Sequence, residues 1–140
     1  MGRQLKEVYA ESGLIRFEYK DLAFLGEESV NAAEAAACAD EQDAFWPYHE
    51  TIYVNQRGEN QGAFSNSALK AFAAAIGLDQ DAFDSCLDGG RYQAAVRSST
   101  AAAQNLGIRS TPTVVFNGEI LEGAITFERL AGLIQAELGN

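Results

Sequence analysis

Apolar and polar residues alternate over Leu14–Leu22, with Ile15, Phe17 and Tyr19 set against Arg16, Glu18 and Lys20. A period of two is that of a half-buried β-strand, and a strand is predicted there. Ahead of it, Leu5, Val8 and Tyr9 share one face of a short helix over Gln4–Ser12, with Gly13 where a C-cap belongs. Past Gly26 the pattern becomes helical. Ser29 is the expected N-cap of an alanine-rich helix over Val30–Ala39, whose small side chains imply close helix packing. A second helix over Asp43–Asn55 carries Phe45, Trp46, Tyr48, Ile52 and Tyr53. Pro47 fits only in its first turn, so a break is expected near Asp40–Ala44. After a polar loop over Arg57–Gly62, Ser65 or Ser67 starts a helix with Leu69, Phe72, Ala73 and Ile76. Asp79 caps the next, with Phe83, Cys86 and Leu87, and Gly89-Gly90 leads into Arg91–Leu106, bearing Tyr92, Val96 and Leu106. The pattern then changes once more. Apolar runs at Thr113–Phe116 and Ile120–Leu121 flank Asn117-Gly118, the strongest short-range signal for a type I′ hairpin. Thr126 caps a last helix with Phe127, Leu130, Leu133, Ile134 and Leu138 on one face.

Composition narrows the class. The chain has 140 residues, 47% of them hydrophobic and 21% charged, which are values of one globular domain with a real core. A net charge of −10, spread along the chain, excludes a phosphate backbone as partner, since that needs a basic patch. No apolar run approaches the roughly 18 residues of a membrane span. The stretch Met1–Glu7 lacks the apolar core of a signal peptide.

Few residues offer chemistry. Cys38 and Cys86 are the two cysteines, 48 positions apart, each expected mid-helix among apolar neighbours. Two buried free thiols, a structural disulfide, a catalytic pair and metal ligands are the available readings. Two cysteines and one histidine do not fill a four-ligand zinc site, so no metal is expected. His49 falls at helical spacing between Phe45 and Tyr53 and reads as a packed or surface residue. Glu27-Glu28 and Asp40-Glu41 read as solvated faces. Thr111-Pro112 stands at the mouth of the first hairpin strand. A proline there can only open a strand, and an X-Pro bond at that place is a candidate cis site.

The stretch GIRSTPTVVFNGEILEGAITFERLAGLI resembles the C-terminal half of a DsbA-like thioredoxin fold. Two further stretches extend the resemblance over nearly the whole chain: AAEAAACADEQDAFWPYHETIY at Ala32–Tyr53, and FDSCLDGG at Phe83–Gly90. The fold it implies is α/β: thioredoxin-like with an all-helical insertion, residues 28–106 forming the insertion with its following helix. Residues 107–140 would then form the proline loop, hairpin and C-terminal helix of a single domain. By the same resemblance, Thr111-Pro112 matches the cis-proline loop that faces the reactive cysteines and holds an extended substrate peptide. Cysteines at corresponding places in family members favour a Cys38–Cys86 disulfide.

The family's C-x-x-C, whose thiolate is stabilised at a helix N-terminus, has no counterpart here. Gln4–Ser12 matches the end of the helix that would carry it, so the first core strand and the motif are expected to be missing. That strand would lie between the ones matching Ile15–Tyr19 and Thr113–Phe116. Two open strand edges result, and a homo-oligomer covering them is expected. The resemblance therefore implies a protein of the thiol–disulfide oxidoreductase family, inactive as a dithiol oxidase in this form and needing no cofactor. Its partner would be an extended polypeptide or thiol substrate. A peptide-binding or chaperone-like module using the proline groove is the alternative, and a kappa-class glutathione transferase or isomerase relative a second. The family implies a periplasmic or extracellular place, while the lack of a signal peptide leaves the cytoplasm open.

Overall fold

The computed structural model describes residues 2–121 and 125–139, so Glu122-Gly123 at the end of the hairpin stretch lies outside the described residues. The chain divides into two units, residues 21–107 and residues 1–20 with 108–140.

In the second of these, α1 (Gly2–Leu5) runs on as a π-helical turn over Lys6–Ala10. Glu11 N–H donates to Lys6 C=O at 2.9 Å and Leu14 N–H to Tyr9 C=O at 3.0 Å, both spanning five residues. The wider turn keeps Tyr9 over Leu5, both buried, and swings Val8 off that face to 50% exposure. The expected shared face therefore loses Val8. Leu14–Leu22 is not a strand: residues 16–20 carry no regular secondary structure and join no β-ladder among the described residues. The alternation still decides burial, since Ile15 and Phe17 are half-buried while Arg16 and Glu18 are exposed. A period of two fixes which side faces a core; it does not supply the partner strand that makes a ladder.

The sheet among the described residues is the hairpin β1 (Val114–Phe116) and β2 (Glu119–Leu121), in the register Val114↔Leu121, Val115↔Ile120 and Phe116↔Glu119. Asn117 and Gly118 have φ of 47° and 90°, the left-handed pair that a type I′ turn requires. Thr126 accepts a hydrogen bond from Arg129 N–H at 3.2 Å and caps α7 (Phe127–Leu138). Leu130 and Ile134 of α7 pack with Leu5 and Tyr9, and Ile15, Phe17, Val114, Phe116 and Leu121 lie against that cluster. Leu138, on the last turn, stays half exposed.

The other unit is helical: α2 (Glu27–Asp40), α3 (Phe45–Val54), α4 (Asn66–Ala75), α5 (Gln80–Asp88) and α6 (Gln93–Asn105). Helix α2 packs against the other four. Its buried Ala32, Ala35, Ala36 and Ala39 let neighbours approach closely. Ser65 and Asp79 are the caps of α4 and α5, accepting from Ala68 and Ala82 N–H at 3.3 and 2.9 Å. Helix α2 instead begins before Ser29, because its cap comes from a distant loop. Asn60 Oδ1 accepts from Glu28 N–H at 3.3 Å, and Asn60 Nδ2 donates to Leu25 C=O at 2.6 Å. Gly26, at φ 95°, is required beneath it: a Cβ there would lie 2.3 Å from Asn60 Nδ2. The Glu28 carboxylate returns the contact, accepting from Gly62 N–H at 2.6 Å and Phe64 N–H at 3.4 Å. Glu28 is a clasp for the 56–64 loop, where a solvated face was expected.

Candidate functional site

Helices α2 and α5 bring Cys38 and Cys86 together as a disulfide, with S–S 2.03 Å and Cα atoms 5.9 Å apart. The bond lies inside the helical core, where Cys38 is 1% and Cys86 0% exposed. A sulfur so enclosed offers no approach to an attacking thiolate, and thiol–disulfide exchange requires that approach. Around it, Tyr48 donates its hydroxyl to Leu69 C=O at 2.9 Å, and burial pushes its phenol well above the ordinary tyrosine range. The ring therefore stays a neutral donor. Outside the core, Arg91 Nη1 donates to both oxygens of Glu41 at 2.7 and 2.6 Å, and Tyr92 OH donates to Glu41 Oε1 at 2.7 Å. These bonds hold the Glu41 carboxyl below its usual range, Arg91 first, and tie the end of α2 to the start of α6. Glu41 is exposed, as sequence reading expected, and serves as a brace as well. His49 sits among rings, 4.6 Å from the Tyr53 centroid and 5.5 Å from that of Trp46.

One residue on this face was not anticipated. Glu34, one turn before Cys38 on α2, is 2% exposed, and its Oε1 has no hydrogen-bond partner. Burial raises its carboxyl above the ordinary range, against the opposing pull of the Tyr92 and Gln93 backbone N–H groups and of Arg97. Its signal was present in sequence as the one acid in the middle of the run Ala32–Cys38. Because the folded carboxyl binds its proton more readily than the unfolded chain does, this group's contribution favours folding below the ordinary glutamate pKa. That contribution is lost as pH rises through the raised folded value. Urea midpoints measured against pH should therefore show wild type losing stability relative to Glu34→Gln on going from acid to neutral pH. Parallel curves would refute the assignment.

Thr111 and Pro112 belong to the other unit and are both exposed, joined by a cis peptide bond. Thr113 Oγ1 donates to Ser110 C=O at 2.6 Å and closes the loop immediately before β1. One edge of β1 pairs with β2; the other has no ladder partner among the described residues. Main-chain groups at such an edge are free to bond an extended chain. Among the described residues no group of three or more metal-ligating side chains is found. No described helix is long and apolar enough to cross a membrane.

The family described as Thioredoxin matches residues 1–136. The chain belongs to the thioredoxin family. Within it, the DsbA-like resemblance is matched by similarity to the probable disulfide bond formation protein D of Bacillus anthracis, 26% identical over 139 residues. That alignment covers 96% of this thioredoxin-family chain and 63% of the relative, so the chain spans about three fifths of that relative's length. A shorter similarity, 29% over 105 residues, covers 75% of this chain but 16% of the Na(+)/H(+) antiporter NhaA of Herminiimonas arsenicoxydans. The crystal structure of a thioredoxin-like oxidoreductase from Silicibacter pomeroyi DSS-3 superposes with TM-score 0.73 at 24% identity, covering 99% of this chain and 79% of that one. The thioredoxin-like fold with an extensive helical part is thereby shared. Sequence reading also passed over Arg109, an exposed cation two residues before Thr111 that makes no ion pair among the described residues.

Proposed function

We propose that this chain is a disulfide-interchange family domain that binds an extended polypeptide along Thr111-Pro112 and the outer edge of β1, without dithiol oxidase chemistry of its own. The observation that carries the reading is the contrast between its two candidate centres. The cysteines are bonded to each other and enclosed, with Cys86 at 0% exposure, whereas the threonine-proline loop is exposed and leads into a strand whose outer edge has no ladder partner among the described residues. These 140 residues contain no C-x-x-C, and their two cysteines are bonded to each other, so they offer no free thiol to form a mixed disulfide. The name of the Bacillus anthracis relative supports the family's tie to disulfide formation. A buried structural disulfide supports an oxidising compartment, periplasmic or extracellular. Of the two open strand edges expected from the sequence, the outer edge of β1 is the one present among the described residues. When no peptide is bound, a second copy covers it as a homo-oligomer.

Thiol counting on the unfolded chain, beside an insulin-reduction assay, tests the chemistry. Two thiols appearing only after reductant, with no turnover, are expected. Turnover would show that Cys38 or Cys86 is reactive and would overturn the proposal. Sedimentation of the same sample as a monomer would remove the oligomer.

A further inference from the structure

Arg109 has a position no neighbour explains. In its unit, Arg3 is paired with Glu7 at 2.8 Å, Arg16 with Glu18, and Lys20 with Glu18 at 3.3 Å. Arg109 is exposed and has no ion-pair partner among the described residues, and it lies between two turns of the backbone. Gly107, at φ 83°, ends the turn after α6, and the Thr113–Ser110 bond closes the loop on the other side. Arg109 lies two positions before Thr111, a span of at most roughly 7 Å along the backbone. An arginine side chain covers such a span. Most of the acidic excess of the chain lies in residues 21–107, while the unit that holds this loop is close to neutral. The guanidinium is the one charged side chain within residues 107–118, and its planar fork matches a carboxylate.

We propose that Arg109 selects for a carboxylate in the bound chain, an aspartate or glutamate within about two residues of the segment seated on Thr111-Pro112. The substrate class is thus an extended, acidic polypeptide segment. This inference rests on the peptide-binding reading of the same loop and adds the chemistry that the peptide must carry.

The test uses the full chain and a pair of short, unstructured fluorescent peptides without cysteine, one bearing scattered aspartates and the other asparagine at the same places. Fluorescence anisotropy should show the aspartate peptide binding about fivefold more tightly, the order expected of one solvent-exposed ion pair. That preference should vanish in Arg109→Gln, persist in weakened form in Arg109→Lys, and fade as salt is raised. Equal binding of both peptides to wild type and to Arg109→Gln would overturn the role of Arg109 and leave the peptide-binding reading standing. Binding of neither peptide would overturn that reading and the inference with it. S-methylglutathione, a small tripeptide with carboxylates and no free thiol, forms the third arm. If it displaces the aspartate peptide and binds more tightly, the carboxylate comes from a small molecule and the polypeptide assignment is overturned.

Discussion

Replacing both Cys38 and Cys86 by alanine should lower the unfolding free energy by about 4 kcal/mol, the chain-entropy value for a cross-link closing a loop of this length. The two residues are 48 positions apart, so in the unfolded chain the bond removes the freedom of a segment that contains α3, α4 and most of α5. In the folded chain it joins α2 to α5 inside the helical core. The Glu41 brace at the edge of the unit remains after the substitution. It is solvent-exposed, however, and ion pairs of that kind contribute little. Urea unfolding of the double variant beside wild type measures the effect as a shift in midpoint at comparable slope. A loss within about 1 kcal/mol would mean that the unfolded chain is already compact around this segment, and the entropy argument would fail.

Phe83→Ala should cost a similar amount, about 3–5 kcal/mol, the range for emptying a fully enclosed aromatic site. The ring is 0% exposed and lies 5.3 Å from that of Tyr48, inclined by 43°. It shares its core cluster with Leu69 and Ala73 of α4, Tyr48 of α3 and Cys38 of α2, and collapse into the vacated space would need several helices to move together. Tyr48→Phe provides the contrast. It keeps the ring and removes only the hydroxyl that bonds Leu69 C=O, so about 1–2 kcal/mol is expected from one buried carbonyl left without its donor. Thermal unfolding of the two variants should separate them clearly. Equal shifts would mean that the buried hydrogen bond, and not the ring packing, carries this part of the core.

The parts of the fold that were legible in the sequence are those decided within a few residues. Ser65, Asp79 and Thr126 cap their helices because a side-chain oxygen reaches an N–H three residues on. Asn117-Gly118 makes its hairpin because only such a pair accepts two positive φ angles easily. Pro47 falls in the first turn of α3 because the ring tolerates no later place. What could not be read locally depends on distant partners. Helix α2 starts before Ser29 because Asn60, from the loop after α3, supplies its cap. The partners of Glu28 and of the exposed Glu41, at Gly62 and Arg91, were not legible because they lie far along the chain. The alternation marked a half-buried side at Ile15 and Phe17 but not at Tyr19, which is exposed, and did not tell whether a strand would pair there. Of the candidate site, Thr111-Pro112 was visible as a proline at a strand entrance. The resemblance, and not the spacing, pointed to Cys38 and Cys86 as partners. Glu34 and Arg109 carried only weak signals, one acid in an alanine run and one cation beside a proline.

The link between α2 and α5 also gives the chain a covalent topology. Cys38 and Cys86 close a ring of backbone, and the exposed loop with Arg57 and Gly58 lies on its circumference. A protease that cuts at Arg57 opens the ring without separating the two arms. The nicked molecule keeps its full mass on a non-reducing gel and falls into two pieces once the sulfurs are reduced. The ring thus keeps the polypeptide in one covalent piece after a cut in this exposed loop.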